Sequence, residues 1–205
     1  MYVGRIVAVG KTDRPFAGYR VSSRSFPNRI ARELGDRVRI APLDPADLQR
    51  NPFIAYACLR VADECVIVSN GTHTDEIFAA LSRGVEAETA LRSVLTEMGY
   101  ERDEYNTPRI AGIVTDTTGF LGIARSDGVE VSSFALAPDS CRVICTYGLD
   151  RIDDASHQFT AGTAQEAARF MVEGGLFATF EHPVCAAAWR NEMAVYNPHW
   201  RAEDA

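Results

Sequence analysis

The sequence predicts an α+β fold in which antiparallel strands outnumber helices. Three observations lead there: short runs rich in Val, Ile, Tyr and Phe fill the first 70 residues, two helical patterns follow between 72 and 99, and strand-like runs return before a last helix near 163. At 205 residues, with 46% hydrophobic and 24% charged, the chain is expected to form a single domain over 1–205. The stretch after about residue 190, ending "NPHWRAEDA", reads as loosely held.

The elements follow in order. "YVGRIVAVGK" is a strand rather than a signal peptide, because no basic region precedes an apolar block and a small-residue cleavage site. The turn "TDRPFAG" leads into "YRVSSR", and "RVRIA", "FIAYACLRV" and "CVIVSN" are further strands. In "FIAYACLRV", Ile54, Tyr56 and Cys58 share one face, so the Tyr56 ring is expected to be buried with its hydroxyl needing a partner. A helix opens at Thr72, with Asp75 three residues on. A second places Ala87, Ala90, Leu91, Val94, Leu95 and Met98 on one buried stripe and closes at Gly99. Strands resume in "RIAGIVT", "GFLGIARS", "GVEVSSFAL" and "CRVICTYG". A third helix starts at Thr163, where Glu166 completes a capping box, before the strand-like "LFATFE". In "EHPVC", His182 precedes a proline and is expected to be extended, with a buried structural imidazole.

Composition excludes several classes. No window approaches the roughly 18 unbroken apolar residues of a membrane span, so no membrane role is expected and the cytoplasm is the expected location. Five cysteines, at 58, 65, 141, 145 and 185, form no CxxC pair. Cys141 and Cys145 would share a strand face about 13 Å apart, too far for a disulfide. No metal site is expected. Residues 1–60 carry 11 basic against 5 acidic side chains, while the remainder carries 10 against 23. With a net charge of -7, this local surplus suits a small anion such as phosphate rather than nucleic acid.

The surplus concentrates in "YRVSSRSFPNR", residues 19–29. On an extended chain Arg20, Ser22 and Arg24 fall on one face, two guanidinium forks flanking a hydroxyl, and Arg29 follows from the next loop. That is either a phosphate-binding array or an exposed polar edge paired with acidic neighbours. "VSNGTHTD" joins a strand to a helix N-terminus, where Asn70, Gly71, Thr72 and His73 would either hold an anion or simply cap the helix. "YERDEYNTPR" supplies Glu101, Asp103, Glu104, Asn106 and Arg109, which fit either a general base with amide or oxyanion donors, or a solvated charged loop.

Together "MYVGRI", "YRVSSRSFPNR", "RNPFIAYACLR", "VSNGTHTD", "YERDEYNTPRIA" and "EHPVCAAA" resemble the archaeal-type IMP cyclohydrolase family, in similar order and over nearly the whole chain. The resemblance weakens over 30–48 and 135–160. It implies ring closure of 5-formamidoimidazole-4-carboxamide ribonucleotide to inosine 5'-monophosphate (IMP) with loss of water, without metal, redox carrier, folate or other cofactor. It also implies a four-layer αββα sandwich similar to N-terminal nucleophile hydrolases. Met1 is followed by Tyr2, so no N-terminal nucleophile stands here, which weighs against amide hydrolysis. A noncatalytic nucleotide-binding module is the other alternative. By resemblance Arg20, Arg24 and Arg29 lie around phosphate and ribose and Tyr56 and Asn70 beside the ring, while Ser22, Gly71, Thr72 and His73 also bind substrate. Tyr56, Glu101, Asn106 and Arg109 are the expected catalytic residues. The expected partners are a purine ribonucleotide and further copies of the chain.

Overall fold

The computed structural model describes residues 1–200; residues 201–205, the end of the tail expected to be loose, lie outside that description. Along the chain run β1 (Arg5–Lys11), β2 (Pro15–Ser22), β3 (Arg29–Leu34), β4 (Arg37–Pro42), the single turn α1 (Asp47–Arg50), β5 (Tyr56–Ala62), β6 (Cys65–Ser69), α2 (His73–Ser82) and α3 (Ala87–Met98). There follow β7 (Arg109–Val114), β8 (Thr118–Arg125), β9 (Gly128–Ala135), β10 (Ser140–Cys145), β11 (His157–Gln158), α4 (Ala164–Glu173), β12 (Pro183–Arg190) and β13 (Glu192–Tyr196).

The strands form two antiparallel sheets. One has six strands in the order β11-β10-β1-β2-β12-β13; the other is a seven-stranded meander from β3 to β9. Side-chain alternation divides each strand between two layers. In β1, Val7 and Val9 enter the core between the sheets, with Tyr19, Val21, Ile40, Tyr56 and Cys58, while Ile6 and Ala8 point to the outer face. That outer face is covered by Ala164, Ala167, Ala168 and Met171 of α4. The outer face of the second sheet, through Ile67, Ala111 and Ile113, packs on Ile77 of α2 and Leu91, Val94 and Leu95 of α3. The layers are helix, sheet, sheet, helix. Covered on both faces, β1 and β12 read as continuous apolar runs rather than alternating ones.

Local chemistry sets the helix ends. Gly99 adopts φ +60° and its N–H reaches the Leu95 carbonyl, closing α3. Thr163 and Glu166 exchange the two bonds of a capping box at the start of α4.

Several expectations are corrected. Thr72 adopts helical angles and its side chain caps nothing; the Thr74 hydroxyl bonds the Gly71 carbonyl instead. "LFATFE" is a 3-10 turn over Gly175–Thr179, and Phe53 and Ile54 also lie in a 3-10 turn, so β5 starts at Tyr56. His182 has φ +54° and is exposed, because the chain turns sharply into β12 there. The tail is tied down as far as it is described: β13 pairs with β12, and the Asn197 amide both accepts from Ala31 N (2.9 Å) and donates to Ala31 O (3.1 Å).

Candidate active site

At one end of the sandwich, where β1, β3, β5 and β7 start and β2 and β10 stop, a cavity of about 370 Å³ opens. Arg5 on β1 and Tyr147 just past β10 reach it from the side of the first sheet, Arg29 on β3 and Tyr56 on β5 from the second, Glu101 from the loop between α3 and β7, and Arg24 from the connection between the sheets. Strand ends suit this task, because the sheets hold them rigidly while their last side chains escape the packed core.

Glu101 is 3% exposed and faces the cavity. Its carboxylate lies 3.9 Å from Arg5 Nη2 and 3.4 Å from Arg109 Nη1. Burial pushes its carboxyl up to about 7, against the opposing pull of Arg5 and Arg109. The loop carrying it is shaped by Asp103, which accepts from the backbone N–H groups of Tyr105 and Thr107 and from the Thr107 hydroxyl. Thr107 in turn meets the Tyr147 hydroxyl at 3.0 Å.

Tyr56 lines the cavity from the start of β5, its hydroxyl 2.6 Å from that of Tyr19. Burial pushes its phenol up to about 12, with Arg29 and Arg5 acting in the opposite direction. Arg29 is anchored by its Nε to the Phe26 carbonyl at 3.1 Å. Arg24 is 59% exposed, sits 4.3 Å over the Tyr2 ring and pairs with Glu181 at 3.6 Å. Tyr105 and Phe53 stand exposed at the rim, flat apolar faces available to a planar ligand.

The structure places other expected residues elsewhere. Arg20 and Ser22 do share a face, but it is the outer face of the sheet, beneath α4. Arg20 is wholly buried there and donates to the carbonyls of Met171, Val172, Phe177 and Phe180 and to the Ser22 hydroxyl. Strand β2 ends at Ser22, so Arg24 escapes the alternation and turns to the cavity.

The "NGTH" junction lies behind the site rather than in it. Asn70 is a backbone clamp, donating to Pro108 O and accepting from Ile110 N, which fixes the chain on both sides of Arg109. His73 is buried, bonded through Nε2 to the Ile110 carbonyl, and burial lowers it to about 3. A Cβ on Gly71 would meet Arg109 Nη1 at 2.9 Å, His73 Nδ1 at 3.0 Å and Glu101 Oε1 at 3.1 Å. Thr72 is exposed and outside the cavity. Asn106, at φ +49°, is exposed and does not line the cavity. Arg109 touches Glu101 from behind and does not line the cavity. Among the described residues, no group of three His, Cys, Asp or Glu side chains is arranged to hold a metal ion.

The sequence reading also left out Tyr2, Arg5, Asn51, Thr107 and Tyr147, which do line the cavity. Arg5 alone had a signal: it is the one charge between Met1 and Val9.

Comparison with known proteins identifies the family of the whole chain. The family described as "IMP cyclohydrolase-like protein" matches residues 2–194. The chain is 44% identical over 204 residues to an IMP cyclohydrolase of Methanocella arvoryzae, covering 96% of this chain and 98% of that protein. One from Methanothrix thermoacetophila is also 44% identical, over 97% of this chain and all of its own length. One from Methanocaldococcus jannaschii is 42% identical, over 92% of this chain and 93% of its own. With a family match spanning nearly the whole chain and relatives aligned almost end to end, this chain belongs to the IMP cyclohydrolase-like family.

Proposed function

We propose that the protein closes the purine ring of IMP from the formamido ribonucleotide, the activity that its relatives' names carry. The observation that supports this best is Glu101, a nearly water-free carboxylate near neutrality, facing a nucleotide-sized cavity between Arg5 and the Tyr56 hydroxyl.

Attacking nitrogen and formyl carbon belong to one molecule, so the site has only to select a folded conformer. Arg24 and Arg29 are the phosphate donors, since guanidinium forks match phosphate oxygens. The exposed faces of Phe53 and Tyr105 flank the imidazole. Glu101 takes the carboxamide proton as the new C–N bond forms, a task suited to a base poised near the working pH. Arg109 and Arg5 hold its charge in place. Tyr56 donates to the formyl oxygen as it gains charge, and one such donor is worth roughly 3–4 kcal/mol in the transition state. That oxygen leaves as water with one proton from each of the two nitrogens.

Two antiparallel sheets between helix layers also support a likeness to the N-terminal nucleophile hydrolases. The reaction running toward synthesis in the cytoplasm, and assembly into a homo-oligomer, belong to the same reading. The test is turnover: purified protein given the formamido ribonucleotide should produce IMP, followed by ultraviolet absorbance. Folded protein that binds IMP without turnover would leave a nucleotide-binding module in its place.

A further inference from the structure

The hydroxyls of Tyr19 and Tyr56 lie 2.6 Å apart, and each phenol carries one proton, so only one of them can donate across the pair. The surroundings determine which. Tyr19, on β2, has no exposed surface and sits in the core between the sheets, its ring edge-on to that of Tyr56. Among the described residues, Tyr56 is the only hydrogen-bond partner of its hydroxyl. Cys58 packs in the same core, but a thiol is a weak acceptor. Were Tyr56 the donor, the Tyr19 proton would be enclosed with no good acceptor, a state that buried polar groups seldom occupy. Tyr56 is under no such constraint, because it opens on the cavity, where its proton can meet substrate or water.

We infer that Tyr19 is a positioning residue that donates its hydroxyl proton to the Tyr56 oxygen, which leaves the Tyr56 proton directed at the cavity. Both phenols stay protonated at neutral pH, since burial raises both. Tyr56 is thereby fixed as a donor toward the reacting oxygen, and the proton-accepting role falls to Glu101. The inference rests on the proposed reaction for its kinetic consequence, but not for the direction of the hydrogen bond.

The test is a double-mutant cycle. Tyr19→Phe removes only the hydroxyl; it should lower kcat about tenfold with KM within about twofold, and should change nothing further once Tyr56 is Phe. An unchanged kcat in Tyr19→Phe, or an equal fall in both backgrounds, overturns the proposal, because a merely structural tyrosine would act independently of Tyr56. Proton NMR of the wild-type protein gives a second readout that needs neither the variant nor turnover. One slowly exchanging hydroxyl proton should be assigned to Tyr19, close to both rings, with the Tyr56 proton exchanging with solvent. A protected Tyr56 proton beside a rapidly exchanging Tyr19 proton overturns it. Lack of turnover by the wild type would sink the cyclohydrolase reading and leave the NMR result standing.

Discussion

Glu101 Oε1 lies 3.4 Å from Arg109 Nη1, with both side chains more than nine-tenths shielded from water. On the proposed reaction Arg109 therefore serves Glu101 rather than the substrate. Glu101→Gln keeps the volume and a hydrogen-bond acceptor for Arg109 but removes the base. It should lower kcat tenfold or more while IMP affinity, measured by calorimetry, changes little. Turnover at the wild-type rate would move the base to Asp103, the other carboxylate lining the cavity.

The same carboxyl predicts a pH profile. Glu101 must be ionised to accept a proton, so kcat/KM should rise with pH through a midpoint near 7. A midpoint near 4.5, the ordinary carboxyl value, would show that burial does not govern it.

Stability should run the other way. Folding raises the carboxyl from 4.5 to about 7, so the folded state holds the proton more tightly. The stabilisation is fully present below 4.5 and is lost as pH climbs to 7. Relative to Glu101→Gln, which does not titrate, the wild-type Tm should fall across that window. A constant difference between the two would refute the shift.

Arg20 and Arg24, four residues apart, should behave oppositely. Arg24→Ala should raise KM tenfold or more, as expected for a charge-assisted contact of about 1.5–3 kcal/mol, with Tm nearly unchanged. Arg20→Ala takes a buried donor from four carbonyls, of which that of Phe177 keeps the Phe180 N–H, and should cost about 3 kcal/mol or more in denaturant unfolding, with KM unaffected in whatever folds. Interchanged phenotypes would place Arg20 at the phosphate.

Gly71→Ala would drive a methyl group against Arg109, His73 and Glu101 at 2.9–3.1 Å. Because the clash falls on the Glu101 carboxylate and on Arg109, which holds it, kcat should fall about tenfold or more, while circular dichroism stays native. Full activity would show that the three side chains can yield.

Local patterns explain why some of this was legible in the sequence. The apolar stripe of α3, the Gly99 cap and the Thr163–Glu166 box are each written within a dozen residues, and all form. Arg24, Arg29, Tyr56 and Glu101 likewise lie in short blocks that stood out. Arg20 misled because alternation says which residues share a face but not which layer covers it. His182 misled because the turn into β12 overrides the preference for extended backbone before proline. Arg5 and Tyr147 come together with Glu101 only through strand order, and no local pattern announces that.

The cavity draws Arg5 from β1 and Tyr147 from just past β10 in one sheet, Arg29 and Tyr56 from the other, and Glu101 from the loop that leads into that second sheet. Neither sheet holds a site alone. Catalysis is therefore a reporter of sheet docking: during refolding, far-UV signals of strand and helix should recover before turnover does. The pairing of β1 with β10 joins segments far apart in sequence, as β2 with β12 does, so the chain must close large loops before any of its chemistry exists. Activity regained after dilution from denaturant will time that final closure.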